Sequence, residues 1–237
     1  MTPERPQDRF KPVSSSRVFN RILTKFDLRT KKVLDLGCAF GEHLVHFGEG
    51  SLGITTTVDE VEYGVRNGLN IKYGNVESLS LSEDFSVIWA NNLFEHLLSP
   101  HAFLMRLKRH ARPETMLILG VPVIPKVTSL LRLKKFRGSL AVAHINFFTR
   151  ESLRLTVERA GWTVREIRPF QFGNSWIDSL FGFLSPHLYV VAENNTDFTY
   201  HEKKLKEWKD DDHYAEVLSL AHPAASSAPV AMANPVV

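Results

Sequence analysis

The sequence predicts an α/β domain built on a mostly parallel β-sheet with helices covering both faces. Three observations predict it. Short apolar runs of strand length alternate with segments of helical periodicity from Lys32 to Val121. The first of these runs, Val33-Leu34-Asp35-Leu36, passes directly into Gly37-Cys38-Ala39-Phe40-Gly41, a glycine turn. The chain has 237 residues, 43% of them hydrophobic and 11% aromatic, enough for one such domain with extensions.

The elements follow in order. Residues 1–16 read as an irregular arm, with Ser14, Ser15 and Ser16 as candidate caps for an amphipathic helix through Val18, Phe19, Ile22, Leu23 and Phe26. The first strand is Lys32 to Leu36, and a helix is expected to start after Gly41, over Glu42 to Phe47. A second strand, Ser51 to Thr55, precedes a helix from Val58 to Asn67 that Gly68 ends. Asn70 to Tyr73 and Phe85 to Ala90 are the third and fourth strands. A helix over His101 to His110 stops before Pro113, and Thr115 to Val121 is the fifth strand. Thr149 is placed to cap a helix from Arg150 to Ala160 that Gly161 closes. Two last strands, Thr163 to Pro169 and His187 to Ala192, flank an aromatic insert. The chain thus divides into an arm and helix (1–29), the domain proper (30–194) with inserts at about 122–149 and 170–186, and a charged segment followed by a tail (195–237). The Ala/Pro-rich tail from His222 is expected to be disordered.

Bulk properties exclude several classes. A net charge of +3, without a dense Lys/Arg patch interleaved with aromatics, does not point to nucleic acid. One cysteine, Cys38, rules out an intramolecular disulfide and a cysteine-rich zinc site, and fits a reducing cytoplasm. The polar, proline-bearing stretch Met1 to Lys11 is not patterned as a secretory signal, and no apolar run reaches the roughly 18 residues of a membrane span.

A strand, a glycine turn and a helix start together make a nucleotide pocket. A dinucleotide fingerprint wants glycines at its first, third and sixth places; here only Gly37 and Gly41 are glycine, with Ala39 between them. Asp35-Leu36-Gly37-Cys38-Ala39-Phe40-Gly41 instead resembles the first motif of class I S-adenosylmethionine-dependent methyltransferases. Asn75, the run Asn91-Asn92-Leu93-Phe94-Glu95-His96, and His144-Ile145-Asn146-Phe147-Phe148-Thr149 are similar to later segments of small methyltransferases of that family, in the same order. The resemblance covers roughly residues 30 to 192 and implies a three-layer Rossmann-like sandwich. Its seven strands would run in the order 3-2-1-4-5-7-6, the seventh antiparallel.

The resemblance implies S-adenosylmethionine as cofactor, held by Asp35, Gly37, Cys38, Gly41, Thr55, Asn75, Val76 and Asn91. Three positions depart from the family. Ala39 replaces the middle glycine, a small change if its backbone angles are ordinary. Thr55 stands where the family has an acid for the ribose hydroxyls; Asp59 or Glu60 would compensate if the loop folds back. Asn75 replaces an aspartate but keeps a carbonyl acceptor for the adenine amino group.

Methyl transfer from an activated sulfonium needs alignment first, and a base when the acceptor is a hydroxyl. The candidate bases are His96, in the Glu-His pair after the fourth strand, and His144, each weighed against a purely structural role. His43 and His46 share one face of the expected helix, and Asp210-Asp211-Asp212-His213 is acidic; both read as solvated surface, and no metal site is expected. The basic amphipathic stretch Lys126 to Arg137 reads as an ordinary helix or as a lid over the acceptor. The insert 170–186 reads as core, acceptor pocket, homodimer face or peripheral membrane contact. The sequence therefore points to a methyltransferase acting on an oxygen or nitrogen of a small molecule, with a sugar or glycolipid precursor as one candidate acceptor. The alternative is a methyltransferase-like binding or scaffold protein without catalysis, for which Thr55 is the main support.

Overall fold

The computed structural model describes residues 6–221. Seven strands form one sheet: β1 (Val33–Leu36), β2 (Leu52–Thr55), β3 (Ile71–Tyr73), β4 (Val87–Asn91), β5 (Met116–Pro122), β6 (Trp162–Arg168) and β7 (His187–Asn194). Their order is β3-β2-β1-β4-β5-β7-β6. The first five pair in parallel, while β7 runs antiparallel to both β5 and β6. This is the order and the antiparallel final strand that the resemblance implies. The order reverses between β1 and β4, so the loops leaving these two strands open a crevice at the carboxyl edge of the sheet.

Side-chain alternation along the strands divides the core in two. Val33, Val87, Trp89 and Ile118 face α2 (Arg17–Lys25), which buries Phe19, Ile22 and Leu23 on them. Leu34, Leu36, Ile88, Ala90, Leu117 and Leu119 face α4 (Pro100–Leu107) and α5 (Arg150–Arg159), which contribute Phe103, Leu104, Leu107, Leu153 and Val157. Helix α3 (Val58–Arg66) follows β2 and lies against β3. Trp162 is fully buried and donates its indole N–H to the Leu104 carbonyl, which ties β6 to α4. Ser16 caps α2 through Phe19 N, and Thr149 caps α5 in a reciprocal pair with Ser152.

Several expectations are corrected. Within the arm, Pro6–Ser14 is not irregular but forms α1, which runs almost to the Ser16 cap of α2; residues 1–5 lie outside the described residues. No α-helix follows Gly41; residues 44–46 make a single 3-10 turn. The cause is space, because Gly48 lies so close to the Thr30–Lys31 backbone that a Cβ there would come within 2.6 Å of it. Six residues between two fixed glycines are too few to propagate a helix. Residues 126–140 form two 3-10 segments, Thr128–Arg132 and Lys134–Leu140, rather than one helix. Among their apolar side chains Phe136 is buried, whereas Val127, Leu133 and Leu140 are exposed, so no packed face stabilises α-geometry.

The insert 170–186 is split. Phe170 is in the core, while Trp176, Leu180 and Phe181 of α6 (Ser175–Phe181) are exposed. The charged segment holds α7 (Glu202–Trp208) and α8 (Asp212–Ala221), and α8 docks on α4 through Val217, Ala221 and the Arg106–Glu216 ion pair of 2.9 Å. The disorder expected from His222 onward lies outside the described residues.

Because α2 meets the sheet through three buried side chains, Ile22→Ala is expected to destabilise the fold by about 2–5 kcal/mol, read by chemical denaturation. A loss below about 1 kcal/mol would show that α2 is not part of the core.

Candidate functional site

The turn after β1 is held open by backbone conformation. Gly37 (φ 71°), Ala39 (φ 47°) and Gly41 (φ 90°) all lie in the left-handed region. Ala39 is therefore not in ordinary geometry, contrary to expectation, and its Cβ costs about 1–2 kcal/mol there. Two N–H groups, of Gly37 and Cys38, both donate to the Ile54 carbonyl at 2.9 and 3.1 Å, and Gly41 N donates to Cys38 O at 2.9 Å. These bonds fasten the turn to β2. A Cβ on Gly37 would stand 3.2 Å from Leu93 in the loop after β4, and one on Gly41 would strike Leu69. Gly37 thus permits close approach of the two loops, while Gly41 serves packing against the β3 side.

Over this turn lies a cavity of about 570 Å³. Gly37, Cys38 and Ala39 form one wall, Asn91, Asn92 and Tyr189 another, and Glu42 and His43 a third. Arg9, Pro12 and Val13 of α1 close it from outside. Arg9 pairs with the buried Glu42 at 2.6 Å and covers the Phe40 ring at 5.5 Å, so α1 is latched over the pocket. A larger cavity of about 660 Å³, lined by His101, Leu155, Tyr200 and Trp208, is reached by none of the motif residues.

The pocket's polar atoms fit a cationic, hydrogen-bonding ligand. Asp35 is buried beneath the turn, and its Oδ2 lacks a partner. Burial and then the nearby Glu42 carboxylate push the Asp35 carboxyl well above its ordinary range. Asn91 Oδ1 is likewise buried and unpartnered. Gly120, in the middle of β5, is what admits the Asn91 side chain, since a Cβ there would collide with Asn91 Oδ1 and crowd Tyr189 and His187. Arg9 already pairs with Glu42, so a cationic ligand would be the group that holds the Asp35 carboxyl ionised.

The structure gathers Gly37, Cys38 and Asn91 at the cavity with Asp35 beneath them; Gly41, Thr55, Asn75 and Val76 do not line it. Thr55 is buried and donates its hydroxyl to Glu60, in the first turn of α3. A carboxylate therefore does stand beside the end of β2, supplied from the helix. The Asn75 side-chain carbonyl accepts from Glu77 N at 2.9 Å, so it also organises its own turn, and Val76 is buried.

His96 and His144, far apart in sequence, are neighbours with ring centroids 4.9 Å apart, but neither lines the cavity over the turn. Between them stands Glu95, 1% exposed. His43 and His46 both pack on Phe19 rather than facing solvent as a pair. Sequence reasoning missed Arg9, Gly120, Tyr189 and His187; a glycine inside an apolar strand was the one available signal, at Gly120.

A seven-stranded sheet of this order, a left-handed glycine turn at its switch point and a buried acid beneath that turn are features of the class I S-adenosylmethionine-dependent methyltransferase fold. The family model described as a methyltransferase domain matches residues 8–167, and the chain belongs to that family. The mitochondrial ubiquinone biosynthesis O-methyltransferase of Schizosaccharomyces pombe is 24% identical over 156 residues, 58% of this chain and 57% of that protein. The match thus spans little more than half of that relative's length. Two solved structures share the fold. A methyltransferase of Thermotoga maritima, described as a possible histamine N-methyltransferase, has a TM-score of 0.58 at 15% identity, over 79% of this chain and 94% of its own. A TehB-like methyltransferase of Corynebacterium glutamicum has a TM-score of 0.56 at 17% identity, over 79% and 95%.

Two outcomes are expected. Gly37→Val places a β-branched side chain at φ 71° and against Leu93, and should abolish binding of S-adenosylhomocysteine in calorimetry while circular dichroism stays that of the parent. Full retention would move the pocket elsewhere. Burial also lowers the imidazoles of His43 and His187 from 6.5 to about 4. Their contribution to stability is present above the unfolded value of 6.5 and is lost as pH falls toward 4. In a proton–carbon NMR titration their ring resonances should stay neutral down to about pH 5; midpoints near 6.5 would mean solvated rings.

Proposed function

We propose that the chain transfers the methyl group of S-adenosylmethionine to a hydroxyl oxygen of a small molecule, with a sugar or glycolipid precursor as the favoured acceptor class. The observation that carries this reading is the Glu95–His96–His144 cluster, in which Glu95 and His96 stand on the loop after β4 that continues from the cavity wall at Asn91 and Asn92, and His144 comes from the segment after β5. His96 Nδ1 lies 3.0 Å from the Ala143 carbonyl and His144 Nδ1 lies 3.5 Å from the Ser139 carbonyl. A carbonyl only accepts, so Nδ1 carries the proton in each ring, and Nε2 is free to act on an acceptor hydroxyl. The relative from Schizosaccharomyces pombe is by name an O-methyltransferase, which supports oxygen over nitrogen.

The bound cofactor supplies an electrophilic methyl and a good leaving group. The chain's own part is alignment. Asp35 and Asn91 offer unpartnered acceptors, Glu42 and Arg9 flank the opening, and Glu60 with Thr55 is proposed to hold the ribose hydroxyls in place of the usual strand-end acid. Val142, two residues before His144, and Trp176 and Leu180 on α6 are exposed apolar side chains, which suits a glycolipid-like substrate or a peripheral membrane contact. Among the described residues no helix is long and apolar enough to cross a membrane. A reducing cytoplasmic setting is proposed on the single, buried Cys38.

The test is calorimetric titration with S-adenosylmethionine and S-adenosylhomocysteine, followed by transfer of an isotopically labelled methyl to hydroxyl-bearing acceptors. Both ligands should bind, and the label should appear as a methyl ether. Glu60→Gln should weaken binding by about 1.5–3 kcal/mol, the worth of a hydrogen bond to a charged group. No binding of either ligand at millimolar concentration would favour a methyltransferase-like scaffold instead.

A further inference from the structure

We propose that Glu95, His96 and His144 form a binding site for a divalent transition-metal ion of the zinc class, a two-histidine, one-carboxylate set with coordination positions left open to an acceptor oxygen. Each residue offers one ligand atom, and these three atoms lie within 4.8 Å of one another. Glu95 Oε1 stands 3.9 Å from His96 Nε2 and 3.8 Å from His144 Nε2. Nitrogen and oxygen ligands on one such ion, each at about 2.1 Å, lie about 3.0–3.4 Å apart. The two carboxylate contacts must shorten by about half an ångström to reach bonding separation, and the two imidazole ligand atoms, within 4.8 Å of each other, must close together as well.

Three further observations favour an ion over an ordinary ion pair. Both Glu95 oxygens are buried without a hydrogen-bond partner, since neither imidazole is close enough to donate. Both rings direct Nδ1 to backbone carbonyls, the arrangement that fixes a metal-binding imidazole and leaves Nε2 as the ligand. The two halves of the site are also locked together. Ile145 N and Asn146 N donate to the Glu95 carbonyl at 3.0 Å each, and Asn146 Nδ2 donates to the Leu97 carbonyl at 2.6 Å. The side chain of His144 is 11% exposed and that of His96 40%, so the cluster is closed behind and open in front.

For catalysis the inference rests on the proposed methylation of a hydroxyl. With the ion bound both Nε2 atoms are ligands rather than bases; coordination of the acceptor oxygen to the ion would instead ease loss of its proton to solvent, and the oxygen lone pair would then form the new bond to the methyl carbon as the carbon–sulfur bond breaks. The site itself stands on geometry and is tested without cofactor or acceptor.

The experiment is titration of the full chain, stripped with a chelator, with Zn²⁺ or Co²⁺ alone. It is read by calorimetry, by metal analysis after gel filtration, and by the visible d–d absorption of bound Co²⁺. One ion per chain is expected, with absorption of a low-coordinate site. Glu95→Gln and His144→Ala should each weaken binding at least tenfold. His96→Ala, at the exposed position where folding is least at risk, should do the same with an unchanged circular dichroism spectrum. Absence of stoichiometric binding, or binding that survives both Glu95→Gln and His96→Ala, would overturn the site. Binding of the ion without methyl transfer to any hydroxyl would uphold the site and overturn the reaction assigned to it.

Discussion

The turn from Gly37 to Gly41 is the constraint on which the rest of the site depends. Its three left-handed residues fold the backbone flat against β2, where one carbonyl, that of Ile54, takes both Gly37 N and Cys38 N. That compactness lets the loop after β4 descend until Leu93 touches the turn. The position of Leu93 in turn places Asn91 on the cavity and carries Glu95 and His96 into reach of His144. The left-handed alanine marks how firmly the turn is held: the hydrogen bonds on both sides offset the steric cost of a Cβ at φ 47°.

Among the described residues seven buried side-chain polar atoms lack a hydrogen-bond partner, and three of them are nitrogens of Trp89, His110 and Arg168. The other four, Asp35 Oδ2, Asn91 Oδ1 and both oxygens of Glu95, are all acceptors and belong to β1, β4 and the loop that follows β4, on either side of the point where strand order reverses. Burial raises the carboxyls of Asp35, Glu42 and Glu95 above their ordinary range. A core would avoid such groups or pair them. Concentrated at one edge, they make a surface whose missing partners are donors and cations.

The fold was legible because most of its strands, three to eight residues long, are apolar runs and its caps are local. Ser16, Thr149, Gly68 and Gly161 act through neighbours a few positions away, and each stands where the sequence places it. What escaped depends on contacts made at a distance. Residues 42–47 have helical spacing, but the approach of Gly48 to Thr30 cuts them short. Residues 126–140 have an amphipathic pattern without a surface to pack on. The arm looked irregular, with Pro12 inside it, yet α1 runs almost to the cap of α2 and lies over the pocket. His96 and His144 were separate candidates in the sequence; only the fold makes them one cluster around Glu95.

Thr55 illustrates why position and function separate. Read along the strand, the missing acid at the end of β2 counts against a complete cofactor pocket. Read in space, the Thr55 hydroxyl and the Thr57 N–H at 3.3 Å turn the chain, and the first turn of α3 returns Glu60 to the same point. A helix N-terminus is a favourable place for a carboxylate, because the peptide dipoles there are positive, and glutamate's longer side chain spans the added distance. In the proposed reading the acid stands on the helix instead of the strand, and the shape of the loop brings it back. A motif is a set of atoms in space, and a sequence pattern records that set only when the backbone between its members takes the usual path.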